Sequence, residues 1–164
     1  MSARYQTIKG LAHDHKLAGA LGDMIIAWAY AETVLINVLT RILDSNLNKI
    51  QAGYYRIPTF ESRVKFINAL VGEWKPPAKF KKSDIANAIT KLSQLSGTRN
   101  HWVHGDWCAA IDGSEVVIFD HRSAIGSLNR RKPVKAHDVA NHANTVRFRA
   151  EALLKLIDHD SLPS

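Results

Sequence analysis

The stretch KLAGALGDMIIAWAYAETVLINVLTRILD, residues 16–44, decides the fold. Its apolar side chains fall at Leu17, Leu21, Met24, Trp28, Ala31, Leu35, Val38 and Ile42, in alternating steps of four and three. That spacing marks one face of an α-helix; a strand would need a period of two. Ile25, Ile36, Leu39 and Leu43 widen the stripe. A helix this apolar is expected to pack on several neighbours or on another subunit. Gly19 and Gly22 carry no Cβ and permit close approach of a second backbone.

Downstream, the same period recurs. A short helix is expected over residues 47–55, and Pro58 forces extended geometry on Ile57. A third helix starts after Thr59 and runs to Trp74, with Val64, Ile67 and Leu70 inward, and Pro76-Pro77 ends it. Ser83 reads as an N-cap for a fourth helix over 84–104, with Ile85, Ile89, Leu92, Leu95 and Val103 inward and Gly105 as its stop. The period then changes to that of a hairpin. Trp107–Ile111 and Glu115–Phe119 flank Asp112-Gly113-Ser114, a turn signal between two β-prone runs. Residues 121–135 form a basic connector, and a last helix covers 137–158. The expected fold is all-α: a bundle of about five helices in one domain, 1–164, with a polar leader at 1–15 and one small β-hairpin insertion at 106–120 after the fourth helix.

The chain has 164 residues, 46% of them apolar, which suits one globular core and excludes a disordered chain. Lys plus Arg outnumber Asp plus Glu by 22 to 15, a net charge of +7 that admits a phosphate-bearing partner. Cys108 stands alone, so neither an internal disulfide nor a cysteine-based zinc site is available. The segments carry a polar residue every few positions, and none is read as a membrane span. The expected setting is cytoplasmic, with no membrane partner, no metal and no cofactor.

Two charges sit on apolar faces. Each helical residue turns about 100°. On the fourth helix Arg99 falls near the middle of the face centred on Leu92, Leu95 and Val103. Asn100 is at its edge and His104 lies about 40° beyond it. On the first helix Glu32 falls among Leu21, Trp28, Leu35 and Leu39. A buried charge is expensive unless paired, so Glu32 is expected to meet Arg99. That arrangement is either an ion pair that docks two helices or a desolvated arginine and a nearby histidine poised for a phosphate.

The run Arg99-Asn100-His101-Trp102-Val103-His104 resembles the R-polar-x(3)-H motif of the HEPN superfamily (higher eukaryotes and prokaryotes nucleotide-binding domains). The late helix that carries it, the apolar first helix with an internal Glu32, and the His-Gly helix terminus are similar to that family as well. The resemblance implies a metal-independent endoribonuclease acting on RNA as a homodimer, with the two motifs facing each other. It assigns Arg99 to the scissile phosphate, His104 to proton transfer and Asn100 to orienting one or the other, while the wheel gives Glu32 the task of holding Arg99. It further implies a toxin or phage-defence setting and, with it, an antitoxin partner. Some toxin-type members carry a tyrosine two residues after the motif histidine; Asp106 stands there, so control by modifying that tyrosine is unavailable to this chain. The chemistry is self-consistent. RNA brings its own 2′-hydroxyl nucleophile, histidine titrates near neutrality, and arginine matches a phosphate bidentately.

Two other functional classes stay open. One is a non-catalytic HEPN-like module that binds a nucleotide, RNA or protein. The other is a structural helical dimer in which Arg99 and Glu32 only dock helices. For RNA, the backbone contacts expected are Arg122, Arg130, Arg131, Lys132 and Lys135 in the connector. His13, His15, His101, His137 and His142 read as solvated or incidental. Cys108 reads as a small buried hydrophobe and Trp102 as core.

Overall fold

The computed structural model describes residues 5–12, 14–119 and 133–158. In chain order the elements are β1 (Tyr5–Thr7), α1 (His15–Leu43), α2 (Leu47–Tyr54), α3 (Phe60–Glu73), α4 (Lys82–Ser93), α5 (Ser96–His104), β2 (Asp106–Ala110), β3 (Val116–Phe119) and α6 (Ala136–Ile157). The protein is mostly helical, with one small antiparallel sheet of order β1-β2-β3. Two compact units are formed, Met1–Ile25 with Gly97–Ala143 and Ile26–Ser96 with Asn144–Ser164.

In the second unit the centre of the α1 stripe is buried: Trp28, Ala31, Leu35, Ile36, Val38 and Leu39 are within 3% of full burial, as are Ala27 and Val34 beside them, whereas Leu43, expected to widen the stripe, is 43% exposed, and in the first unit Ile25 is 54% exposed. Ile67 and Val71 of α3, Ile85, Ile89 and Leu92 of α4, and Val146, Ala150 and Leu153 of α6 complete this core. Trp28 and Phe60 rings pack at 4.7 Å. Local signals set the boundaries. Asp44 adopts φ +44, a left-handed stop for α1 that aspartate tolerates better than a branched residue. Asn46 caps α2 through Asn48 N–H, and Thr59 caps α3 through Ser62 N–H.

In the first unit Asp14 caps α1, its carboxylate accepting from Leu17 N–H at 2.9 Å. The sheet buries Cys108, Ala110 and Val117 on one face and Ile118, opposite Trp107, on the other; Trp102, Val139 and Ala143 are buried in the same unit. The hairpin turn uses Gly113 at φ +72, where a side chain would be strained. Asp112 receives Ser114 N–H and Oγ–H, and those bonds hold its carboxyl below the usual carboxylate range.

Four sequence expectations are corrected. The fold is mainly but not purely helical, because residues 5–7 of the expected polar leader form β1 and pair with β2, Tyr5 opposite Ala110 and Thr7 opposite Cys108. The expected fourth helix is two helices, α4 and α5, separated at Gln94-Leu95. Six helices are therefore described, in keeping with the expectation of about five. Ser83 lies inside the first turn of α4; the cap position is Lys81, which makes no side-chain cap bond. Finally, α1 is long and apolar enough to span a membrane by length and composition, with a mean hydropathy of 1.4 over its most apolar window. The polar residues that argued against a span are too few in that window, although the inward stripe is covered by protein, as in a core helix.

Pairing with β1 shields Cys108, whose Sγ lies 3.9 Å from Thr7 Oγ1. A chain lacking residues 1–8 is expected to react with a thiol reagent roughly tenfold faster, the effect of losing about 1.4 kcal/mol of local protection. Stopped-flow labelling of native protein checks this.

Candidate functional site

Helix α5 carries the motif, and its construction is economical. It is nine residues long, too short to persist by itself. Trp102 is its one buried residue, 8% exposed, and packs edge-on against the His142 ring at 5.0 Å. The Trp107 indole N–H donates to Trp102 C=O at 2.9 Å, which satisfies one of the orphan carbonyls at the helix end. Gly105 N–H donates to His101 C=O, and β2 begins at the next residue. A buried tryptophan, an indole clamp and an immediate strand thus fix α5 within its unit.

On this frame the motif residues separate into two settings. Arg99 is half-buried, and its Nη1 donates to Asn100 Oδ1 at 2.8 Å. Asn100 and His104 are exposed, one helical turn apart. The structure brings Arg99 and Asn100 together and keeps His104 on the same short helix. It does not enclose His104 in a dry cleft with Arg99, as the wheel suggested. The reason is the break at Gln94-Leu95. A wheel drawn through 84–104 carries the phase of Leu92 across a point where the helix restarts. Val103, expected inward, is accordingly 38% exposed, and Trp102 takes the inward position.

Glu32 is also reassigned. Its Oε1 accepts from Arg63 Nη1 at 2.6 Å and lies 3.4 Å from the Tyr54 hydroxyl, so its partner is Arg63 and not Arg99. The side chains of Arg63 and Glu32 are 14% and 18% exposed. Arg63 Nε donates to Ile57 C=O at 3.0 Å, and the guanidinium lies over the Tyr54 ring at 4.8 Å and the Tyr55 ring at 5.4 Å. Burial, and then the Glu32 carboxylate, push the Tyr54 hydroxyl well above its ordinary value of 10.0. Sequence reasoning missed Arg63, yet the signal was present. Arg63 shares one helix face with Ile67 and Leu70, at the same four-then-three spacing that singled out Glu32.

Among the expected RNA contacts, Arg122, Arg130, Arg131 and Lys132 lie outside the described residues. Lys135 is exposed and lines, with Lys9, Glu115 and Ala136, a cavity of about 970 Å³ beside the hairpin turn. His101 and His15 are exposed, His137 is bonded to Asn141 at 2.8 Å, and Cys108 is buried. His13 lies outside the described residues. No cluster of metal-ligating side chains occurs among the described residues. No protein-family model, curated protein or solved structure matches this chain.

The two arginines are expected to behave differently on truncation. Arg63→Ala leaves Glu32 without its cation in a poorly hydrated place and should lower unfolding stability by about 3 kcal/mol. Arg99→Ala should lower it by about 1 kcal/mol. Urea unfolding at neutral pH separates them.

Tyr54 gives a pH signature. Its neutral form is favoured in the folded state, so above pH 10 the folded chain holds a proton that the unfolded chain releases. Stability should therefore be intact below pH 10 and fall above it by about 1.4 kcal/mol per pH unit. Tyr54→Phe should flatten that alkaline limb in a urea series run from pH 8 to 11.

Proposed function

We propose that this chain is a metal-independent endoribonuclease of HEPN type that acts on RNA as a homodimer. The observation that carries the reading is the grouping on α5. Arg99 is tied to Asn100 at 2.8 Å, and His104 stands exposed one turn along the same helix. An arginine held by a neighbouring amide is oriented before substrate arrives, which favours bidentate capture of a phosphate. An exposed imidazole can take the proton of a 2′-hydroxyl or return one to the leaving 5′-oxygen. The attack forms an O2′–P bond, breaks the P–O5′ bond and leaves a 2′,3′-cyclic phosphate; Arg99 stabilises the charge on the phosphoryl oxygens. DNA lacks the nucleophile and is not a substrate for this route.

The dimer supplies what a single copy lacks. His104 makes no hydrogen bond or ion pair among the described residues, and a second copy of the motif would enclose it. Ile25, 54% exposed, and Val103, 38% exposed, belong to the same unit as the motif and give a second copy apolar surface to cover. The structural-dimer alternative loses its central device, because Glu32 is engaged by Arg63. The toxin or phage-defence setting and the antitoxin partner belong to the same proposal.

Purified protein incubated with total RNA in EDTA is expected to cleave it, leaving cyclic phosphate ends. His104→Ala should reduce the rate by at least 10²-fold, and sedimentation should show a dimer. Intact RNA under broad salt and pH conditions, or equal rates for parent and variant, would reject the reading.

A further inference from the structure

The outer face of α6 presents an anomaly within the second unit. Val146, Ala150, Leu153 and Ile157 define the buried side of the helix. Phe148 lies on the opposite side and is 64% exposed. Asn144, Thr145, Glu151 and Lys155, the exposed residues around it, are polar. On its two shoulders stand Arg147 and Arg149. Arg147 donates from Nη1 to Asn144 Oδ1 at 2.9 Å, and the Arg149 guanidinium carbon lies 5.7 Å from the centre of the Phe148 ring. Arg149 also lines, with Asn87, Ala88 and Lys91 of α4 and Leu156 of α6, a groove of about 270 Å³, so this one side chain reaches both the ring and the groove. Two acids are near, Asp84 in that groove and Glu151 on the helix face.

We propose that this face binds single-stranded nucleic acid, one base stacking on Phe148 and the adjoining phosphates resting on Arg149 and Lys91. A planar ring exposed to water stacks on any base, since every base offers a π-face. The cation–π contact with Arg149 keeps the guanidinium beside the ring, where it meets the phosphate next to a stacked base. Arg149 and Lys91 give that groove two cations for a charged backbone. Charge complementarity favours a polyanion over a protein segment, because one ring bordered by arginines, asparagine and threonine gives too little contiguous apolar area for a protein interface. RNA as the polymer rests on the proposed function; the stacking site itself does not require turnover.

The test uses the full chain carrying His104→Ala, so that bound RNA is not consumed, and a fluorescein-labelled 12-nucleotide oligoadenosine read by anisotropy at low salt. Adding Phe148→Ala is expected to weaken binding about tenfold, within the range for one stacked base, and Phe148→Trp to restore it. Arg149→Gln should reduce the salt dependence of log Kd by about one phosphate contact. Equal affinity with and without the ring overturns the proposal, as does a lack of binding by the chain that retains it. Dissociation of a dimer by Phe148→Ala overturns it too, since the face would then be a contact between copies. Cleavage by the parent chain in EDTA is scored separately. Ring-dependent binding without cleavage sinks only the nuclease reading, and cleavage without ring-dependent binding sinks only this one.

Discussion

A carboxylate set among the apolar side chains of the longest helix must be neutralised where it stands, and much of the second unit is arranged around that requirement. Glu32 cannot leave α1, so α3 brings Arg63 to it at 2.6 Å and α2 brings the Tyr54 hydroxyl. Arg63 in turn is held by Ile57 C=O and by two tyrosine rings. A largely covered pair of this kind is a poor source of net stability, because desolvation offsets much of the attraction. Its effect is selective. Any other docking of α2 and α3 on α1 strands a charge, which is far more costly than an apolar mismatch. The ion pair therefore specifies which packing is allowed, while Trp28, Leu35, Ile67 and Ile89 supply most of the driving force.

Legibility in the sequence follows the range of the interactions. The course of α1, α2, α3 and α6 was readable because burial repeats every three or four residues and the caps are local; Thr59 and Pro76-Pro77 bracket α3 in plain view. The hairpin was readable from Asp112-Gly113. The break between α4 and α5 was not. Gln94-Leu95 contains neither glycine nor proline, and the apolar positions on either side remain compatible with one helix. That single miss shifted the phase of residues 96–104, turning Val103 inward on paper and placing Arg99 at the centre of a face that does not continue. The β1 strand was illegible for another reason. Tyr5 pairs with Ala110, more than a hundred positions away in the sequence, and three residues of strand carry no periodicity worth reading.

The motif survives this correction in altered form. Its residues are together because they are adjacent on a nine-residue helix, and that helix is ordered by tertiary contacts: Trp102 below it, the Trp107 indole on its last turn, and β2 directly behind it. The sheet is thus the support of α5, and β1, by completing the sheet, belongs to that support. Chemistry that needs only an anion partner and a proton carrier can be mounted on so small a platform. Neither Arg99 nor His104 has to be buried by its own chain when the substrate, and on the proposed reading a second copy, supplies the cover.

The contrast between the two arginines shows how burial should be weighed. Arg63 is paired with Glu32 and hydrogen-bonded to Ile57 C=O, Tyr54 beside them is shifted by burial and by Glu32, and by the usual rule this cluster would head the list of candidate functional groups. Yet all the Arg63 donors that have a partner face protein: a carboxylate, a carbonyl and two rings. Nothing remains there for a ligand to replace without exposing Glu32. Arg99 donates to an exposed amide of its own helix, a partner that does not belong to the core. A functional charge has to be held by groups that stay in place when the substrate binds. On that criterion the proposed function rests on α5 and not on the better-packed pair on α1 and α3.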